Sequence, residues 1–172
     1  MKLTKQISGI AGEYYVAAEL SRRGYIAAIT LRNSEGIDIL VSNHSGEKAF
    51  AIQVKTTQNK RKWILTEKVE KDFVPNKFYV FVNIPKEFEK LPEYYIVASE
   101  DLAQHIYEGH RNWLTTPGKN GHVRKDSKVR QFDPKYFPSE KIKSWEILIQ
   151  VIEEQKIDAA PATNKTNPST SS

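Results

Sequence analysis

The chain has 172 residues, 39% hydrophobic and 10% aromatic, with 26 Lys and Arg against 21 Asp and Glu and a formal net charge of +5. That length suits one domain with a real core. The absence of cysteine excludes disulfides, thiolate metal sites and cysteine nucleophiles, and fits a cytoplasmic protein. No apolar run approaches the roughly 18 residues of a membrane span, and MKLTKQISGIAGE lacks the apolar stretch of a signal peptide.

Residues 8–24, SGIAGEYYVAAELSRRG, read as a helix with Ser8 as N-cap and Gly24 at its stop. YIAAITLR (25–32) is the first predicted strand, NSEG (33–36) a turn, and IDILVSN (37–43) the second strand. HSGE (44–47) is a hairpin-like loop leading to KAFAIQVKTT (48–57), the third strand. WILT (63–66) is a short fourth strand. KFYVFVNI (77–84) and YYIVAS (94–99) are rich in aromatic and β-branched residues, as buried strands are. SEDLAQHIYEG (99–109) is a helix with a Ser-x-Asp start and a terminal glycine. Residues 110–135 lack periodicity and read as a long loop or flap. Ile142, Trp145, Ile149 and Ile152 recur at helical spacing, which predicts a C-terminal helix over 139–155. The expected domain covers 1–156, and 157–172 is expected to be a disordered tail. The expected fold is α/β, a central mixed sheet of about five strands flanked by helices.

Four residues carry the candidate chemistry. On the first helix, the stripe Glu13, Val16, Ala17, Leu20 places a carboxylate on the face that should enter the core. A buried charge usually has a partner; the bland alternative is that Glu13 merely complements the helix dipole. In GIDILV, alternation puts Asp38 and Leu40 on the face opposite Ile37, Ile39 and Val41. An edge or turn aspartate is the bland reading there. In AIQVKTT, Gln53 and Lys55 share one face while Ile52 and Val54 share the other. If HSGE joins the second and third strands, Asp38 stands beside the Gln53–Lys55 pair. Carboxylate and amide oxygens are hard ligands that suit Mg²⁺, usually held by one or two carboxylates plus phosphate and water. A bound cation activates water and polarises the P–O bond. A lysine ammonium orients the attacking water or stabilises developing charge.

Glu13 on a first helix, then G-I-D-I-L-V, then A-I-Q-V-K-T, resembles the PD-(D/E)XK nuclease superfamily, in a D-QxK variant similar to Mrr-type restriction enzymes. The likeness is strongest over residues 7–57. It implies a restriction-endonuclease-like fold and Mg²⁺-dependent phosphodiester hydrolysis of DNA, with Mn²⁺ as substitute, in defence or in DNA repair and recombination. It implies Asp38 as principal metal ligand, Gln53 in the place of the usual acid, Lys55 as catalytic lysine and Glu13 as accessory carboxylate. Two departures stand out. Residue 37 is Ile where the motif has proline, and Gln53 is neutral, which weakens metal affinity unless Glu13 or Glu35 compensates.

Residues 110–135 carry seven Lys and Arg against two Asp. That patch suits phosphate contacts by Lys119, Arg124, Lys125, Lys128 and Arg130, with Trp113 stacking on a base or sugar. The alternatives are a solvated loop and a tryptophan that anchors it. None of His44, His105, His110 and His122 is assigned a metal, and Trp63 and Trp145 are expected in the core. Two other readings compete with a nuclease: a nucleic-acid-binding protein on the same fold without catalysis, and a protein-interaction subunit whose basic loop meets an acidic partner. A homodimer and a separate partner supplying recognition are both compatible with a chain that shows no target-recognition domain. No membrane association is expected.

Overall fold

The computed structural model describes residues 2–31, 36–146, 148 and 150. The element order is α1 (Lys5–Ser21), β1 (Ile26–Ile29), β2 (Ile39–Ser42), β3 (Ala49–Gln58), β4 (Trp63–Thr66), β5 (Lys77–Ile84), β6 (Glu93–Ala98), α2 (Ser99–Thr115) and β7 (Val129–Phe132). Five strands form one sheet in the order β1-β2-β3-β5-β6. Its outer pairings are antiparallel and β3 runs parallel to β5, so the sheet is mixed as expected. β4 stands outside it, paired with β7 in a separate two-stranded ribbon.

Each face of the sheet has its own core. Ile52 and Val54 of β3 point to one face, where Val16 and Leu20 of α1 pack with Ile39, Val41, Phe78 and Val80. Tyr79 and Phe81 point to the other, under α2 and the β4–β7 ribbon, with Trp63, Leu102, Ile106 and Phe132. With both faces covered, β5 is buried at seven of its eight residues, which is why it reads as a continuous apolar run. Trp63 is buried, and Trp145 packs against the first core.

Several boundaries differ from the sequence reading, each for a local reason. α1 starts at Lys5 because Thr4 is the cap: its hydroxyl accepts from the Ile7 N–H at 3.2 Å, while Ser8 donates back to the Lys5 carbonyl. The helix closes in a Schellman turn, with Gly24 at φ +88 and the Tyr25 N–H donating to the Leu20 carbonyl. α2 runs through Gly109 to Thr115. A glycine weakens a helix without ending it, and the stop comes ahead of Pro117, which disfavours helix in the residue before it. The loop expected over 110–135 therefore contains the last turn of α2 and all of β7. Residues 139–141 form a single 3₁₀ turn and Lys143 bridges to Ile96, so helical geometry begins only at Trp145. Residues 33–35 of the NSEG turn, Ile149, Ile152 and the 157–172 tail lie outside the described residues.

Candidate active site

The β2–β3 hairpin brings three of the four candidates together. Its register pairs Ile39 with Ile52, which sets Asp38 opposite Gln53 one step beyond the last paired residue of β2. The Asp38 N–H donates to the Ile52 carbonyl at 2.9 Å. The carboxylate then takes the next donor along β3: Asp38 Oδ2 accepts from the Val54 N–H at 2.7 Å. From the other side, the Thr30 N–H donates to the Asp38 carbonyl at 2.9 Å and the Thr30 hydroxyl to the Ile37 carbonyl at 2.7 Å. Asp38 is thus held by its backbone and its side chain on the face shared by Gln53 and Lys55. All three are half-buried.

Burial pushes the Lys55 ammonium below the ordinary lysine range. The Asp38 carboxylate opposes that shift, Lys77 adds to it, Asp72 opposes it and Lys5 adds a last contribution. Lys55 is therefore a weakly hydrated cation beside a fixed carboxylate, the setting in which an ammonium acts most strongly on nearby charge.

Three further residues line this face, and the sequence reading assigned them no role. In the parallel β3–β5 ladder, Ala51 stands opposite Lys77 and Gln53 opposite Tyr79. Lys77 is only 4% exposed. Its Nζ donates to both oxygens of Asp72, at 2.8 and 2.7 Å, and the Tyr79 hydroxyl donates to the same carboxylate at 2.7 Å. Burial alone would raise Asp72, but the hydrogen bonds from Lys77 and Tyr79 and the charges of Lys77 and Lys55 hold it below the usual carboxylate range. Burial, then the bonded Asp72, raises the Tyr79 phenol, which stays protonated. One signal for these residues was present: a lysine opening the apolar strand KFYVFVNI, two positions before a tyrosine and so on its face.

Glu13 is on α1, which covers the opposite face of β3. It is half-buried and follows Gly12, at which the helix approaches the sheet so closely that a Cβ would lie 1.9 Å from Thr56 Oγ1. Its stripe-mates Val16 and Leu20 are fully buried. The helix stripe thus has the expected orientation, while Asp38, Gln53 and Lys55 form their cluster on the other side of the sheet.

The donor set fits a small hard cation in its usual partly hydrated form. Asp38 offers a carboxylate and Gln53 an amide oxygen. Space beside Gln53 is kept open by Gly36, at φ +75: a Cβ there would lie 3.0 Å from Lys77 Nζ, 3.5 Å from Asp72 Oδ2 and 4.0 Å from Gln53 Oε1. Among the described residues no group of three or more His, Asp or Glu is placed to hold a metal, so such a cation would lean on neutral oxygens, water and a substrate phosphate. Glu35 lies outside the described residues.

The basic segment divides. Lys119, Lys125 and Lys128 are exposed, Lys128 with Glu67 at 3.8 Å. Arg130 is not at the surface: it is 6% exposed, paired with Glu70, and donates to the Val129 carbonyl at 3.0 Å. It lies within β7, opposite Leu65 of β4, where its guanidinium is taken up by Glu70 and a backbone carbonyl rather than presented to solvent. Trp113 is 42% exposed but engaged. The His110 ring stacks on it at 5.5 Å, the Arg124 guanidinium sits 4.9 Å from its centroid, and Arg124 donates to its carbonyl at 3.0 Å. His110 also bonds Asp126 at 2.8 Å. These contacts tie residues 122–126 to the end of α2, beside a cleft of about 500 Å³ lined by His105, His110, Trp113, Gln131 and Tyr136. Among the described residues no helix is long and apolar enough to cross a membrane.

No protein-family model and no curated protein matches the chain. Among solved structures it is similar to a bacterial homing endonuclease, I-Ssp6803I, at 15% identity and a TM-score of 0.51, over 91% of this chain and 98% of that one. A Holliday junction resolvase, Hjc, from the archaeal hyperthermophile Archaeoglobus fulgidus aligns at 13% identity and a TM-score of 0.47, over 81% of this chain and 99% of that one. At such identities the likeness to the endonuclease concerns the fold, and it agrees with the restriction-endonuclease-like architecture of a central mixed sheet flanked by helices.

Proposed function

We propose that this chain is a Mg²⁺-dependent DNA endonuclease of the PD-(D/E)XK type, with Mn²⁺ as substitute. The observation that carries the reading is the convergence of Asp38, Gln53 and Lys55 on one face, with Asp38 bonded to the backbone of the residue between the other two. The endonuclease fold of the similar structure supports it.

In this reading the Asp38 carboxylate and the Gln53 amide oxygen hold the cation. When bound, the metal lowers the pKa of a bound water and polarises the phosphorus–oxygen bond. Lys55, fixed beside Asp38, orients the attacking water and stabilises negative charge on the phosphoryl oxygens. Lys119, Lys125 and Lys128, with Arg124 and the Trp113 edge, lie along the DNA backbone and supply affinity without sequence readout. Recognition then comes from DNA shape, from a second copy of the chain or from a separate partner.

Supercoiled plasmid tests the reading. Conversion to nicked or linear forms with Mg²⁺, stopped by chelator, is expected; intact plasmid in both Mg²⁺ and Mn²⁺ contradicts it. A second reading is DNA binding without cleavage, favoured by the neutral Gln53 and by the lack of a three-acid group among the described residues. Salt-dependent DNA binding with no Mn²⁺ uptake would decide for it.

A further inference from the structure

Gly109 stands in the interior of α2, which runs on past it to Thr115. Glycine weakens a helix interior relative to alanine, so its place there calls for a reason. Close packing is not the reason: a Cβ at Gly109 would meet no atom within 4 Å, whereas one at Gly12 would strike Thr56. Nor does Gly109 adopt a positive φ, as Gly24 and Gly36 do. What it borders is the cleft of about 500 Å³ between α2 and the segment around β7. The side chain that Gly109 lacks is therefore room in that cleft.

The cleft has an aromatic wall and a basic rim. His110 and Trp113 stack with their planes 21° apart, and the bond from His110 to Asp126 at 2.8 Å holds that wall in place. Tyr136 adds a further ring, 67% exposed. Gln131, exposed on β7, brings an amide, which offers a donor and an acceptor side by side, as the edge of a nucleobase does. Arg124, Lys125 and Lys128 belong to the segment that forms one side, and the acid among them, Asp126, is engaged with His110. The volume falls in the range of ligand clefts, roughly 300–1,000 Å³. Aromatic walls, one amide and a cationic rim suit a planar hydrogen-bonding ring that carries a phosphate. A base inside a duplex has its faces and edge taken up by stacking and pairing, whereas an unpaired base presents both. The cleft is also built on the side of the sheet that carries Gln53 and Lys55, because α2 and the β4–β7 ribbon cover Tyr79 and Phe81 there. We propose that this cleft takes one unpaired nucleotide of a DNA strand, with the base over Gly109, its edge to Gln131 and its phosphate to the basic rim. The inference rests on DNA as the ligand in the reading above and not on its cleavage.

The test is fluorescence anisotropy in the presence of chelator, so that nothing is cut, with a labelled duplex and the same duplex carrying one bulged nucleotide. Wild type is compared with Gly109→Leu, which fills the cleft with a residue that favours helix over glycine. Wild type is expected to bind the bulged duplex about 10-fold or more tightly than the intact one, the scale of one base on aromatic rings. Gly109→Leu is expected to bind the two alike, with its affinity for the intact duplex unchanged and its melting temperature not lowered. A preference that survives in Gly109→Leu overturns the inference, as does an equal loss on both duplexes. Thymidine monophosphate that competes as well as the bulged duplex itself would assign the cleft to a free nucleotide and overturn it too. If Gly109→Leu does not fold by circular dichroism, Tyr136→Ala takes its place with the same outcomes. Wild type that binds the intact duplex without preferring the bulge overturns this inference alone and leaves the endonuclease reading standing. Wild type that binds neither duplex removes DNA as the ligand and both readings with it.

Discussion

Asp38 and Val54 are joined by a 2.7 Å hydrogen bond from the Val54 N–H to the Asp38 carboxylate. That bond fastens the acid of one strand between the amide and the ammonium of the next. It separates two roles of Asp38 that substitution can tell apart. Asp38→Asn keeps an acceptor for the Val54 N–H and is expected to change stability by less than about 1 kcal/mol while abolishing Mn²⁺ uptake. Asp38→Leu leaves that N–H unpaired and is expected to cost about 1–3 kcal/mol as well. Urea denaturation beside Mn²⁺ calorimetry checks both.

The approach of α1 to β3 is set by the absence of a side chain at Gly12, against Thr56 Oγ1. Gly12→Ala is expected to push the helix off the sheet and destabilise the fold by about 1–3 kcal/mol, the usual range for overpacking. Thr56→Ala removes the nearest clashing atom, a buried hydroxyl oxygen without a hydrogen-bond partner among the described residues. The double variant is therefore expected to melt above Gly12→Ala alone. Additive thermal shifts would contradict this account of the crossing.

The exposed lysines, unlike Arg130, are expected to contribute to DNA affinity. Each of Lys119→Gln, Lys125→Gln and Lys128→Gln should lower the slope of log binding constant against log salt by about 0.9 and leave stability unchanged. Arg130→Gln is expected to do the reverse. It breaks the buried pair with Glu70 at a cost of about 3–5 kcal/mol, with no change in salt slope among the molecules that stay folded. Fluorescence anisotropy over a salt series, with urea melts, separates the two classes.

His105 gives an acid-side dependence of stability. Burial holds its pKa below the ordinary histidine value of 6.5, Glu108 opposing the shift and Lys141 adding to it, with the Phe137 ring 4.8 Å away edge-on. The unfolded chain thus takes up a proton first as pH falls. Stability is complete above the ordinary value and is lost as pH drops from about 6.5 toward the lowered folded value. His105→Gln is expected to flatten that part of the profile, measured as urea midpoints at several pH values between neutral and mildly acid.

Much of the fold is legible in the sequence because it follows from period and punctuation. The alternation in AIQVKTT puts Gln53 and Lys55 on one face, and HSGE closes the hairpin that sets Asp38 beside them. The shared face of Lys77 and Tyr79 was legible, but their place beside Gln53 was not, because it depends on the parallel β3–β5 register, which no local pattern encodes. Pairing of β4 with β7, which sets Leu65 opposite Arg130, is a long-range choice of the same kind, and it turned a basic loop into a strand that buries Arg130. Gly109 read as a helix end because its cost is local, whereas His110 and Trp113, stacked on each other and bonded to Asp126 and Arg124, lie in the helix beyond it.

The central claim is that Asp38 and the Gln53 amide oxygen share one divalent cation beside Lys55. A crystal structure with Mn²⁺, phased on its anomalous signal, tests it most directly. The expected result is a single strong peak touching an Asp38 oxygen and Gln53 Oε1. A peak at neither residue, or a Gln53 amide turned with its nitrogen into the site, would contradict the account.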